Sequence, residues 1–424
     1  MTFDNPIGPA VPEALPGDIS SRPARTGVGR IVAGLLLVNV AIFTVTAGTA
    51  IVLLPARLAI IAPDGKVGIL AGITATIAVV TFITTLTFGN LSDRTRSRLG
   101  SRNPWIIVAG AVAVIATVSL AFASSLPLLI AGVLVQNLAA GITAATIYPI
   151  LPDRIPTKRF GVASTALGAG VLLGATLGVL LSVSMPDDRA GFLALAAVPI
   201  VLIPVFLLLA PDWSNKDAPP SRDRTSFLRA LAFPRHAPDF YWAFTARLAV
   251  YVGYYALAGY QLYLLTDYLN VQTSAAKALI GTATIVNAVA SLIGSVIAGP
   301  LSDLLGRRKI ITIASSVIIA VAVLMPLLVP SQLGFLLYIG IGGFGLGMFL
   351  AVDGALMAQV LPSAASRGKD LGLLALPTNA GTLLGPLLAA AIIGSGAGYP
   401  PVFLLAAVLC VVGAGILIPI KSVR

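Results

Sequence analysis

Apolar residues recur along this chain in runs of about 20, the length of α-helix that crosses a roughly 30 Å hydrocarbon core. Six runs lie at about 31–54, 67–90, 105–123, 127–151, 161–184 and 191–210. Residues 211–238 interrupt them with charges, prolines and no long apolar stretch. Six more runs follow at about 239–266, 276–302, 310–329, 332–358, 371–395 and 400–419. The pattern predicts an all-α integral membrane protein of twelve transmembrane helices in two pseudo-symmetric six-helix bundles, residues 30–210 and 239–424. The linker 211–238 is expected on the cytoplasmic side, with a short amphipathic helix around 226–233. Residues 1–29, with Pro6, Pro9, Pro12, Pro16 and Pro23, read as a disordered cytoplasmic tail. No short apolar core with a cleavage site precedes the first run, so no signal peptide is expected.

Composition agrees with the pattern: 57% of residues are hydrophobic and 10% charged, where a soluble domain carries about a quarter charged. The net charge of +11 raises nucleic acid as a partner, and the placement of the charges removes it. With the N-terminus taken as cytoplasmic, Arg57, Lys66, Arg189 and Lys277 fall on the outer side and Arg247 falls within a span. All other basic residues fall on the inner side. This is the positive-inside skew of a polytopic protein; the basic residues are not interleaved with aromatics on one surface. The single cysteine, Cys410, the single histidine, His236, and the single glutamate, Glu13, leave no disulfide framework, metal site or nucleophile and base pair. Neither an enzyme nor a cofactor is expected.

Charged positions then supply the most specific signal. Residues 299–309 read GPLSDLLGRRK and residues 89–102 read GNLSDRTRSRLGSR, each following a long apolar run. Asp93 and Asp303 are 210 positions apart, and Pro156 and Pro362, at the ends of the fourth and tenth runs, are 206 apart. The two halves are therefore read as duplicates. In each copy the glycine, Gly89 or Gly299, permits close helix packing. The carboxylate, Asp93 or Asp303, stands where it can meet a helix N-terminus and nearby arginines. Such a hinge is expected to act as a conformational latch involving Gly89, Asp93, Arg94, Gly299, Asp303, Gly306, Arg307 and Arg308. The plainer alternative is loop charge that merely obeys the positive-inside rule.

On these residues the chain resembles the major facilitator superfamily, whose signature loop has the form G-x-L-x-D-R-x-G-R-R between the second and third spans. The second copy departs from it only by Leu304 in place of the first basic residue; the first copy has four extra residues between Asp93 and Gly100. That longer form resembles the glycoside, pentoside and hexuronide symporters and the sucrose transporters. The resemblance implies the major facilitator fold and secondary transport by alternating access, with a sugar or glycoside as the solute. Typical drug exporters of the superfamily have Gly-Pro in the fifth span and Arg-x-x-Gln-Gly in the fourth; here Ala175 follows Gly174 and Val133 precedes Gln136 by three. Sodium symporters of the melibiose type carry acidic residues in the first spans, and this chain has none there. Protons are therefore the expected coupling ion, with export of an amphipathic drug or metabolite as the alternative function.

Ionisable groups inside spans are costly and mark function by default. Asp353 lies about 12 Å inside the tenth span and Arg247 a similar depth into the seventh, at 1.5 Å per residue. A direct or water-bridged pair is expected, with Asp353 as proton carrier; a static ion pair is the alternative. The seventh span concentrates aromatics, of which Tyr251, Tyr254 and Tyr255 suit the faces and hydroxyls of a sugar ring. Asn39, Gln136, Asn137, Gln261, Asn287 and Asn379 are further cavity candidates, with helix-to-helix hydrogen bonding as the alternative for each. The expected partners are a small-molecule substrate, protons and the lipid bilayer. The expected setting is a monomer in a bacterial inner membrane with both termini cytoplasmic.

Overall fold

In a computed structural model the described residues are 27–156, 159–216, 238–360 and 367–420. The tail up to residue 26, the linker stretch 217–237 with its expected amphipathic helix, and Pro362 lie outside them. The first half holds α1 (Val28–Ile61), α2 (Lys66–Arg94), α3 (Asn103–Ala121), α4 (Leu126–Ile147), α5 (Phe160–Ser184) and α6 (Asp188–Leu209). The second holds α7 (Pro238–Ala258, continued by Gln261–Tyr268), α8 (Thr273–Leu305), α9 (Arg308–Leu328), α10 (Gln332–Val360), α11 (Arg367–Ile392) and α12 (Pro400–Ile416). Helices are the expected answer to a solvent that cannot bond the backbone, since each satisfies its own amides internally. Among the described residues ten helices are long and apolar enough to cross a membrane; α7 joins them as a pair bent by 54°, and α12 has 17 residues.

Three ends depart from straight spans. α1 runs on past the expected end at Leu54, through one widened turn at Thr49–Leu53. Pro55 follows that turn and has no N–H to give. A similar wide turn, Leu264–Tyr268, closes α7 after its bend, and a third, Ile393–Ala397, ends α11. All three lie at the end of the molecule opposite the two signature loops, called here the far end; the signature loops lie at the basic end.

Within each half the first and fifth helices press together on glycine. A Cβ on Gly170, Gly174 or Gly178 of α5 would strike the carbonyls of Leu36, Val40 or Thr44 on α1. Gly381 and Gly385 of α11, each 207 positions after Gly174 and Gly178, meet Tyr251 and Val252 of α7 in the same manner. The duplication read from the charged loops thus recurs in the packing.

The apolar core is distributed unevenly along the membrane axis. At the far end one continuous cluster joins both halves, including Leu53, Leu70 and Phe192 from the first and Tyr260, Tyr263 and Leu264 from the second. Toward the basic end the clusters separate: Leu35 and Phe206 pack within the first half, and Phe240 and Met357 within the second.

Candidate functional site

A cleft between the halves collects part of the polar set expected from sequence. It is lined by Tyr254 and Gln261 of α7, Asn287 of α8 and Tyr338 of α10, and is closed on the first-half side by Ile51, Leu172 and Ala175. Gly343 makes room for Asn287, since a Cβ there would strike the amide oxygen. The cleft measures about 90 Å³. Small-molecule pockets begin near 300 Å³, so a ligand of ordinary size enters only as the two walls part.

The buried ion pair stands beside this cleft. Arg247 Nε lies 3.1 Å from Asp353 Oδ2, with the side chains 13% and 5% exposed. The Nε–H does not point along that vector and makes no directed hydrogen bond, so the contact is chiefly Coulombic. The Arg247 guanidinium also lies 5.5 Å from the centre of the Tyr251 ring, and the Tyr251 hydroxyl is within reach of Arg247 and of Thr378 on α11. From Tyr251 the rings run on: Tyr251 stacks with Tyr255 at 5.9 Å, and Tyr255 meets Tyr254 edge-on at 5.3 Å. Seven residues, about 10 Å of helix, separate Arg247 from Tyr254 on the cleft wall. The pair therefore does not line the cleft, and three tyrosines connect the two.

Four other sequence candidates take different places. Asn39 donates from Nδ2 to the Leu167 carbonyl at 3.2 Å, tying α1 to α5. Gln136, fully buried, donates to Thr49 Oγ1 at 3.1 Å and Thr117 Oγ1 at 2.9 Å. Asn137 donates to the Val133 carbonyl of its own helix, and Asn379 is exposed on α11, outside the cleft. Buried amides must find partners; the first three donate within the protein instead of lining the cleft, and the Gln136 Oε1 is left buried with no partner among the described residues.

The signature loops form pairs inside their own halves. Arg102, at the head of α3, reaches Asp93 Oδ1 at 2.7 Å and Asp153 Oδ2 at 3.1 Å and donates to Ser92 Oγ at 3.0 Å. Burial pushes the Asp153 carboxyl above the ordinary carboxylate range, against the pull of Arg102. The segment after α6 straps this loop: Asn215 accepts from Ser97 N at 2.9 Å and donates to the Thr95 carbonyl at 2.8 Å. In the second copy Asp303 meets Arg308 at 3.4 Å, while Arg307 is exposed. Both loops turn at a left-handed glycine, Gly100 at φ +83° and Gly306 at φ +58°. Arg94 is exposed. Among the described residues the close packing expected of Gly89 and Gly299 is not made, since a Cβ on either would meet none of their atoms within 4 Å.

The far end holds contacts that the sequence reading missed. Lys66 pairs with Asp267 at 2.8 Å and Lys277 with Asp188 at 2.6 Å, each across the halves. The Tyr263 hydroxyl, fully buried, donates to the Pro55 carbonyl at 2.9 Å, and Lys66 sits 4.8 Å over the Tyr263 ring. Lys66 and Lys277 are 211 positions apart, close to the spacing of Asp93 and Asp303. That repeat was the available signal, hidden because isolated lysines beside loops look like ordinary loop charge.

The family model of the Major Facilitator Superfamily matches residues 35–276 and, a second time, residues 258–423. Among solved structures the chain is similar to a bacterial homolog of the human lysosomal transporter Spinster, captured in an inward-facing and unoccupied conformation. The two share 16% identity over 94% of this chain and 95% of that one, with a TM-score of 0.63, a likeness of fold. No curated protein matches.

Proposed function

Because the chain belongs to the Major Facilitator Superfamily, and so is a multi-pass membrane transporter, we propose that it carries a small polar organic solute, a sugar or glycoside, by proton-coupled alternating access. The observation that carries this reading is the cleft between the halves, whose Tyr254, Gln261, Asn287 and Tyr338 offer hydrogen bonds without a charge. Asp353 is the proton carrier in this reading. It is the one carboxylate buried among the described residues, and protonation would release Arg247 from it. The Tyr251–Tyr255–Tyr254 ring path lies between that event and the solute.

The positive-inside skew supports a cytoplasmic basic end with both termini on that side. In this reading the transporter works as a monomer, and the cross-half contacts at the far end belong to its state closed toward the outside. In the alternate state the far-end pairs part and the signature carboxylates meet partners across the basic end.

Uptake into proteoliposomes tests the proposal. An imposed inward proton gradient is expected to drive glycoside accumulation, and Asp353→Asn to abolish accumulation while leaving counterflow exchange measurable. Full uphill uptake by Asp353→Asn would overturn the assignment. A second reading, proton-driven export of an amphipathic metabolite, is favoured by the apolar wall of Ile51, Leu172 and Ala175. It predicts gradient-driven loss of such a compound from loaded vesicles.

A further inference from the structure

The cleft differs on its two sides. On the second-half side, none of the polar ends of Tyr254, Gln261, Asn287 and Tyr338 hydrogen-bonds another described side chain or backbone group, although all four line one small space. Unpaired polar groups beside a cavity are costly unless water or a ligand completes them. Two carboxamides and two phenols together offer several donors and several acceptors. On the first-half side Ile51, Leu172 and Ala175 present only carbon, and the one hydroxyl there, Thr176, is already donated to the Leu172 carbonyl at 2.9 Å. Among the described residues no charged side chain lines the cleft; the Arg247–Asp353 pair lies about 10 Å along α7 and its charges oppose each other.

From this arrangement, and resting on the transporter reading above, the geometry points to a neutral two-faced solute. Such a molecule has one edge carrying hydroxyl or amide groups, read by α7, α8 and α10, and one apolar face that lies on α1 and α5. A sugar that is polar all round leaves its far side against Ile51 and Leu172 with its hydroxyls unpaired, which is unfavourable. An ionic ligand places a charge in a cleft that holds no counter-charge, a larger penalty. A phenyl or alkyl glycoside satisfies both walls. Because the walls belong to different halves, such a ligand touches both only when they close on it, which links recognition to the motion.

The test uses the full chain in lipid nanodiscs with phenyl β-glucoside, phenyl β-galactoside and phenyl β-xyloside, the parent free sugars, and phenyl β-glucuronide as the charged counterpart. At least one phenyl glycoside is expected to bind and raise the melting temperature, with its free sugar weaker by about tenfold or more and the glucuronide by about a hundredfold. Asn287→Ala and Gln261→Ala are each expected to weaken the phenyl glycoside by about 2- to 10-fold. Ile51→Ser is expected to narrow the gap between the phenyl glycoside and its free sugar. Failure of all three phenyl glycosides to bind overturns the ligand class, as does glucuronide or free sugar binding equally well. Flux of the same compounds into proteoliposomes keeps the two levels apart. Binding without flux removes the transport reading and leaves the ligand class standing. Asn287-dependent flux of a charged compound removes the ligand class and leaves transport standing.

Discussion

The two ends of the seam between the halves are charged in opposite styles. At the far end, Lys66–Asp267 and Lys277–Asp188 cross from one half to the other over a shared apolar core. At the basic end Asp93 and Asp153 pair with Arg102, and Asp303 with Arg308, inside their own halves, while Arg154 meets Asp212 in the segment that follows α6. The difference separates charges that hold a conformation from charges that hold a fold. In the proposed alternating-access motion a crossing pair is lost as the halves rock, so it contributes to the balance between states. A pair within one half survives the motion and contributes mainly to stability, unless it changes partners.

Arg247–Asp353 gives the largest expected effect and the sharpest test of that division. It is buried and internal to the second half, and breaking such a pair from one side typically costs about 3–5 kcal/mol, because a charge is left without its partner. Arg247→Ala is therefore expected to lower thermal stability strongly, while Arg247→Ala with Asp353→Asn recovers most of the loss. Differential scanning fluorimetry in detergent reads both. If the single variant is as stable as the parent but shifts the spacing of the halves, the division between fold and balance fails at this pair.

Next come the crossing pairs. Each lysine and its carboxylate are partly exposed, Lys66 and Asp267 at 21% and 31%, and such pairs contribute about 0.2–1 kcal/mol. Reversing both lysines, Lys66→Glu with Lys277→Glu, replaces two attractions by two repulsions. The population closed at the far end is expected to fall by about tenfold or more. Spin-label distances across the far end would lengthen, and adding Asp267→Lys and Asp188→Lys would restore them. Tyr263→Phe removes one hydrogen bond, to the Pro55 carbonyl, and is expected to shift the same balance by about 2- to 10-fold with little change in melting temperature.

Most of the fold was legible because a membrane imposes one period on the sequence. An apolar run of the right length has to be a helix, and a duplicated Gly-x-Leu-Ser-Asp places two of the turns. What hydropathy could not convey is direction around each helix. Asn39 and Asn287 look alike in sequence, yet one is consumed by the Leu167 carbonyl and the other borders the cleft, because the lipid face, the packed face and the cavity face of these helices are all largely apolar. Tyr338 passed unnoticed on α10 for the same reason. The bend in α7 lies at Gly259 and Tyr260, inside a stretch that is apolar on average, so a hydropathy window runs straight through it. Arg102 stood within the quoted signature, but its pairing with Asp93 and Asp153 depends on how the loop turns at Gly100.

The smallest expected effect divides the two signature copies. Asp93 is anchored: it faces Arg102, a side chain only 10% exposed that also holds Ser92 and Asp153. Asp303 is 74% exposed and meets Arg308 at 3.4 Å, and the neighbouring Ser302 hydroxyl is buried with no partner among the described residues, where its counterpart Ser92 accepts from Arg102. Asp93→Asn is expected to lower thermal stability by about 1 kcal/mol and Asp303→Asn by less than about 0.5 kcal/mol. That near-neutrality makes Asp303 the cleaner probe of the other state, since stability in the far-end-closed form hardly depends on it. A change in basic-end distances or in turnover caused by Asp303→Asn then reports contacts that form only when the basic ends meet. If both measurements stay at parental values, the second copy is loop charge alone and the latch reduces to the first.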